Sequence, residues 1–427
     1  MSADLFRKTI FPSGLTLLSE HVPDRRSLAL GVWVRGGARD EPGELQGISH
    51  FIEHMMFKGT ERRDARAIAA SLESLGGHLD AYTAREEVCY YARALAEHLP
   101  EVVDVLADIV CRSRFAPAEV DREKSVVREE ISSVEDNPED RIGELLAERV
   151  WPGHPLGRPI LGTKDTVGRL DSDRLRAYFR SRYRPEYLVV AAAGAVEHER
   201  LIEVIGEHFT PPDGPSLPFS GPPPAFTPGV RHETGDELHQ LYLALGTRGV
   251  GYTDADRYAL IVLNTLLGGG MSSRLFQSVR EEAGLAYSVF SAVDFYRETG
   301  LVSIQLGVAP ERGREALRRL REELETLVRE GPSEEEVAAA RFQLKGSVLM
   351  GQESVSNRMV HLAHEEIYRG VYTPPEEQLE HVLAVTREQV VEMARRVLPP
   401  GRFALCALGP ATDDRLDERD WPVEVPV

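Results

Sequence analysis

Residues 47–60 read GISHFIEHMMFKGT and set two histidines, His50 and His54, four positions apart with a carboxylate, Glu53, between them. On a helix, a step of four returns nearly to the same face and a step of three lands beside it, so all three groups look out from one patch. The surrounding Phe51, Ile52, Met55, Met56 and Phe57 are apolar, which predicts a largely buried helix. Buried polar groups must find partners. This stretch alone leaves two readings open: a pair of core histidines with satisfied hydrogen bonds, or two ligands of a metal.

The chain around it has 427 residues, more than one ordinary core accommodates, so two domains of about 200 residues each are expected. A formal net charge of -19 argues against binding the phosphate backbone of nucleic acid. The start, MSADLFRKTIFPSGL, has no apolar signal core, and no uninterrupted apolar run is long enough to span a bilayer. A cytoplasmic protein with no membrane insertion is the expectation. Cys89, Cys111 and Cys406 are widely spaced and set in apolar surroundings, as reduced core thiols are. A metal would therefore draw on histidine and carboxylate ligands.

Residues 210–230, TPPDGPSLPFSGPPPAFTPGV, are crowded with Pro, Gly and Ser and show no period, which predicts an extended linker. The halves on either side resemble each other. Residues 166–194 and 384–409 both give a helix, a Pro-marked turn and an apolar strand closing on Gly, while LALGVWVRGG and LYLALGTRG both lead from a strand through a loop into an apolar helix. The pattern is that of a duplication: an N-terminal domain over 1–210, a linker over 211–229 and a homologous C-terminal domain over 230–427. Within each half, strands come first, then a helix pair, a hairpin, further helices and a last strand. Neighbouring short strands favour antiparallel pairing, so the expected class is α+β: two α/β sandwiches, each a mostly antiparallel sheet with helices packed on one face. GGGMSSR, at 268–274, is only a weak signal for a phosphate cradle.

A zinc hydrolase commonly uses three protein ligands and leaves the fourth position for water. In residues 121–136, DREKSVVREEISSVED, Val126, Val127 and Val134 predict the apolar stripe of a helix. Glu130 falls in the middle of that stripe, about 40° from Val126 and Val134, and Glu129 is turned about 100° further away. Glu123 lies two turns earlier, about 20° off the face of Glu130. Two inward glutamates call for a cation, either a metal or an Arg or Lys partner.

HxxEH in HFIEHMMFKGT, followed at a distance by the glutamates of EKSVVREE, resembles the pitrilysin-like, inverted-zincin metallopeptidases, in particular the processing peptidases and their bacterial relatives. The resemblance runs the length of the chain and includes LGGGMSSRLFQSVREEAGLAYSV in the second half. It implies that His50, His54 and Glu130 bind one zinc ion per chain, that Glu53 is the general base, and that Glu123 is a catalytic-site carboxylate outside the ligand set. It also implies that Arg280 and Tyr287, in REEAGLAY, bind substrate, and that an edge strand through Asp80, Ala81, Tyr82 and Thr83 captures extended peptide. Asp80 departs from the family, which commonly has Asn there. Without the resemblance, Arg280 reads as a solvated helix charge and Tyr287 as a strand aromatic.

Aligning the halves puts Asn264 and Thr265 where the first half has Glu53 and His54, so the second half cannot hold the same metal. His361 and His364, one turn apart in HLAHEE beside Glu365, lack a third inward carboxylate, and a charged helical face explains them. The expected function is a zinc-dependent endopeptidase acting on unstructured, extended peptides, basic ones preferred, inside a chamber formed by a homodimer. The competing class is a non-catalytic peptide-binding or assembly subunit of the same fold.

Overall fold

The computed structural model describes residues 5–221, 225–235, 237–411 and 415–423; positions 222–224 of the linker lie outside the described residues. Two sheets organise the chain. The first has six strands: β1 (Phe6–Ile10), β2 (Thr16–His21), β3 (Ser27–Arg35), β4 (His78–Thr83), β5 (Glu87–Leu95) and β6 (Leu188–Gly194). Their spatial order is β1-β2-β6-β3-β5-β4. The second has five: β7 (Gly229–Thr234), β8 (Leu241–Gly249), β9 (Ala286–Phe295), β10 (Gly300–Val308) and β11 (Ala404–Gly409), in the order β7-β11-β8-β10-β9. In each sheet one pair is parallel, β2 with β6 and β7 with β11, and the other neighbours are antiparallel. Apart from β1, the sheets match strand for strand, as a duplication requires.

The central strands are apolar throughout because both of their faces are covered. Leu188 to Gly194 are all buried, and so are Ala404 to Gly409. One face of the first sheet joins a core with the helix Ile48–Met56, which carries HxxEH, and the helix Leu99–Arg112. Its other face, through Leu18, Trp33, Cys89 and Val189, packs on Met359, Leu362 and Ala363. Those three lie on the helix Val355–His364, far along the chain. Helices therefore cover both faces of the sheet, not one. The second sheet shows the reverse exchange: Ile142, Leu145 and Leu146, on the helix Pro138–Val150, pack on Ala244, Leu301 and Cys406.

The compact units accordingly cut across the linear halves. One comprises Met1–Ser133, Arg158–Gly221 and Met350–Pro374; the other comprises Val134–Gly157, Pro222–Leu349 and Pro375–Val427. Burying a Leu or Met side chain contributes about 1.5–3 kcal/mol, so each exchanged helix is held by several such terms. The linker is strapped down as well: Arg39 Nε donates to Ser220 Oγ at 2.8 Å, and the Arg182 guanidinium lies 5.1 Å from the centre of the Phe219 ring. Cys89, Cys111 and Cys406 are free thiols, and burial raises the pKa of all three. Among the described residues, no helix is long and apolar enough to cross a membrane.

Candidate metal centre

The helix Ile48–Met56 starts abruptly. Gly47 caps it at φ 89°, where a side chain would meet Leu161 O at 2.5 Å, so glycine alone fits there. The first turn is satisfied by a buried carboxylate: Glu41 accepts from Gly47 N and Ser49 N, both at 2.7 Å. Burial outweighs those bonds and pushes the Glu41 pKa up to about 7. Ile48, Phe51, Ile52, Met55 and Met56 anchor the helix in the core. That anchoring leaves the opposite side of the helix for His50, Glu53 and His54.

The third partner comes from the helix Pro117–Asp136. His54 Nε2 lies 3.2 Å from His50 Nε2 and 3.4 Å from Glu130 Oε2, and His50 Nε2 lies 3.6 Å from Glu130 Oε1. Among the described residues these three form the one group of His, Cys, Asp or Glu side chains whose ligand atoms are close enough to share an ion. Four donors placed tetrahedrally at zinc-to-nitrogen distances of 2.0–2.1 Å stand about 3.3 Å apart, so the spacing fits zinc. The donor types fit too. Burial disfavours a charged His54, but bonds to Glu123 and Glu130 outweigh it and raise its pKa to about 9. The bonds from His50 and then His54 hold the Glu130 carboxyl far below the usual range.

Glu123 stands behind this group. Its Oε1 meets His54 Nδ1 at 2.8 Å and its Oε2 pairs with Lys58 Nζ at 2.9 Å. Burial would raise the Glu123 pKa, yet these two cationic partners lower it. With Nδ1 held by Glu123, His54 turns Nε2 towards His50 and Glu130. Glu53 has a different environment: burial raises its pKa, and its Oε2 accepts from Thr83 Oγ1 at 2.5 Å. It is outside the three-residue group, yet His50, His54 and Glu130 all act on its charge.

The sequence placed Glu130 in the middle of a buried stripe; the structure corrects this. The helix packs through Val120, Glu123, Val127 and Ile131, Val126 is 49% exposed, and the Glu130 side chain retains 40% exposure at the margin of the buried face. The physical reason is that a three-valine stripe locates a helix face only to within a side chain's width, and Ile131 draws the buried face away from Val126. The roles of Lys58, Glu41 and Thr83 in holding these groups also went unread. Lys58 stands four residues after His54, just past the end of the helix at Met56, and that closeness in sequence was the available signal.

β4 is the edge strand of its sheet. Ala84 N donates to Glu87 O, and the antiparallel alternation then turns the backbone groups of Tyr82 and Asp80 towards β5 and those of Thr83, Ala81 and Leu79 outwards. Of the four predicted peptide-binding positions, Ala81 and Thr83 have the outward backbone. In Ala81, however, the N–H is held at 2.9 Å by the Asp80 carboxylate, which also accepts from Tyr91 OH at 3.2 Å. The Tyr82 ring lies on the far face, with its OH donating to Glu87 Oε1 at 2.9 Å and accepting from Trp33 Nε1 at 3.2 Å. In the other unit, Arg280 sits on a π-helical turn, Phe276–Glu282, with its guanidinium 5.1 Å from the centre of the Tyr287 ring. Tyr287 is 86% exposed.

The second histidine pair is structural. His361 Nε2 meets Thr373 O at 2.8 Å, and His364 Nε2 meets Glu87 Oε1 at 2.8 Å. Asn264 and Thr265 lie on the helix Arg257–Gly268, where Thr265 Oγ1 simply donates back to Ile261 O. GGGMSSR runs from the last residue of that helix through the turn that follows, with Met271 exposed.

Residues 16–164 match the family model for insulinase, peptidase family M16, and residues 169–344 match the peptidase M16 inactive domain. An uncharacterized zinc protease of Mycobacterium tuberculosis is 39% identical over 412 residues, 95% of this chain and 93% of that one. The uncharacterized zinc protease YmxG of Bacillus subtilis is 37% identical over 400 residues, 93% of this chain and 97% of that one. The crystal structure of a protease from Helicobacter pylori shares the fold, with a TM-score of 0.88, 19% identity and coverage of 95% of this chain and 99% of that one. The chain belongs to peptidase family M16.

Proposed function

We propose that this chain is a zinc-dependent endopeptidase that cleaves unstructured peptides. The observation that carries the proposal is the spacing of 3.2–3.6 Å among the facing atoms of His50, His54 and Glu130, with Glu53 beside them but outside the set. His50, His54 and Glu130 would hold one zinc ion, which supplies Lewis-acid polarisation of a carbonyl and lowers the pKa of water towards about 7. Glu53 supplies the proton transfers. Its carboxylate, raised in pKa by burial, takes a proton from the attacking water and delivers it to the leaving amine. Thr83 fixes the orientation of the Glu53 carboxylate, and Glu123 fixes the ring of His54.

Peptide capture is assigned to β4 by strand addition, with Ala81 and Thr83 presenting their backbone groups outward and the incoming peptide displacing the Asp80 carboxylate from the Ala81 N–H. Arg280 and Tyr287 are assigned to the substrate backbone or to the oxyanion that develops at the scissile carbonyl. A chain that carries both HxxEH and the Arg/Tyr pair needs no specialised second subunit, so the working form is a homodimer enclosing a chamber, in the cytoplasm. Folded proteins should resist cleavage because they present no free extended segment.

The test is hydrolysis of an unstructured peptide by the purified protein before and after chelation. Chelation should abolish cleavage and added zinc should restore it. Cleavage indifferent to chelator would refute the proposal, and intact zinc binding with no cleavage of any peptide would favour the assembly-subunit reading.

A further inference from the structure

We propose that His364 and Glu87 are positioning residues for peptide capture: by holding Tyr82 from behind, they fix the edge strand β4 on which the peptide is laid. The starting point is how little else holds β4. It pairs with β5 at the rim of the sheet, and none of its six residues is fully buried. Leu79 and Ala81 are only partly covered, against the core that includes the HxxEH helix. On the other face the anchor is Tyr82.

The register puts Tyr82, Cys89 and Trp33 in one row across β4, β5 and β3, and Glu87 and Arg35 in the next row. Trp33 Nε1 can only donate, so the Tyr82 oxygen accepts from it at 3.2 Å and sends its own proton to Glu87 Oε1 at 2.9 Å. Burial, and then the charge of Glu87, raises the Tyr82 pKa, so the phenol keeps that proton. Glu87 is itself buried, and among the described residues its Oε2 has no hydrogen-bond partner. The bonds to Oε1 therefore carry the compensation that its charge needs.

The second of those bonds comes from far along the chain. The helix Val355–His364 packs over β2, β3 and β6, and its last residue reaches towards the edge: His364 Nε2 lies 2.8 Å from the same Glu87 oxygen. A carboxylate only accepts, so His364 donates. Burial disfavours charge on His364, but the bond to Glu87 outweighs it and raises the pKa. The neighbouring cation in the row, Arg35, pairs instead with Glu366 at 3.1 Å. The consequence for capture follows from the residues that flank Tyr82. Ala81 and Thr83 turn their backbone groups outwards, and Thr83 Oγ1 donates to Glu53. A displaced Tyr82 would shift both the ladder offered to a peptide and the hydroxyl that orients Glu53. The proposal rests on the peptidase reading only for what β4 captures.

The test combines amide hydrogen exchange of the whole chain with hydrolysis of two unstructured peptides, one long enough to fill β4 and one too short. His364→Ala should speed exchange of the Asp80 and Tyr82 amides at least about ten-fold and leave those of β2 and β6 unchanged. KM for the long peptide should rise at least about five-fold, more than kcat falls and more than KM for the short peptide rises. Tyr82→Phe should reproduce these changes. His364→Gln, which keeps a donor, and Glu87→Gln, which keeps an acceptor for Tyr82, should recover most of the loss. Exchange and KM unchanged in both His364→Ala and Tyr82→Phe would overturn the proposal, as would exchange that speeds up equally across the sheet. Failure of the peptidase reading would look different: no chain would cut either peptide, while exchange in β4 would still respond to His364→Ala and recover in His364→Gln.

Discussion

Apart from β1, the sheets of the two units match strand for strand, and the units differ in the helix beside the edge strand. In one, Ile48–Met56 brings His50, Glu53 and His54 towards Glu130; in the other, Arg257–Gly268 carries Asn264 and Thr265 at the last two of those positions. The contact between helix and edge strand also changes its chemistry. Thr83 on β4 donates to the Glu53 carboxylate, whereas Ser291 on β9 donates to the backbone carbonyl of Asn264, at 3.2 Å. The architecture is set by apolar residues common to both units. The chemistry depends on a few polar side chains that the fold tolerates in one unit and does without in the other.

The comparison can be broken most sharply at Glu53. Glu53→Gln should keep the fold and the metal yet cut peptide hydrolysis by at least about a hundredfold, the scale of general acid–base catalysis. Asn264→Ala, at the matching position, should leave the rate of chemistry unchanged. Equal losses in the two variants would mean that the helices contribute alike. Glu123→Gln is the next largest effect: by releasing His54 Nδ1 it should weaken zinc affinity about 10–100-fold, as measured by competition with a chelator.

The exchanged helices should behave as equals. Leu362→Ala in the first unit and Leu145→Ala in the second both empty a fully buried site and should each cost about 2–5 kcal/mol in denaturant unfolding. A much smaller cost for Leu362→Ala would show that the helix Val355–His364 is dispensable to the first core.

Glu41 gives the finest distinction, because it is a fully buried carboxylate at its helix start, whereas the carboxylate at the start of the second unit's helix, Asp254, which accepts from Asp256 N at 2.9 Å, is partly exposed. The folded pKa of Glu41, about 7, is raised above the ordinary 4.5, so the folded state favours the protonated form. Its contribution is then fully present below about pH 4.5, falls as pH rises to about 7, and is level above that. The stability difference between the wild type and Glu41→Gln should change by up to about 3 kcal/mol across that window. A difference independent of pH would mean that Glu41 titrates normally.

These expectations also show which parts of the molecule local sequence could reveal. The hairpin of β4 and β5, the closing strands β6 and β11 and the HxxEH helix were legible because their signals, period two, period 3.6 and turn residues, act within a few positions. The duplicated order of elements followed from the same signals. The exchange of Pro138–Val150 and Val355–His364 between sheets was not legible. An apolar helix face states that it needs a partner, never which one, and the choice is made by contacts hundreds of residues apart. Likewise Glu130 could be chosen over Glu129 by angle, while its half-exposed position and the Lys58 partner of Glu123 depend on how two helices meet.

The central claim is that His50, His54 and Glu130 form one zinc site, and its most direct test is the metal content of three purified proteins: wild type, Glu130→Gln and Glu129→Gln. Close to one zinc per chain is predicted for the wild type and for Glu129→Gln, with most of it lost from Glu130→Gln after dialysis. Equal zinc in the two variants would contradict the assignment.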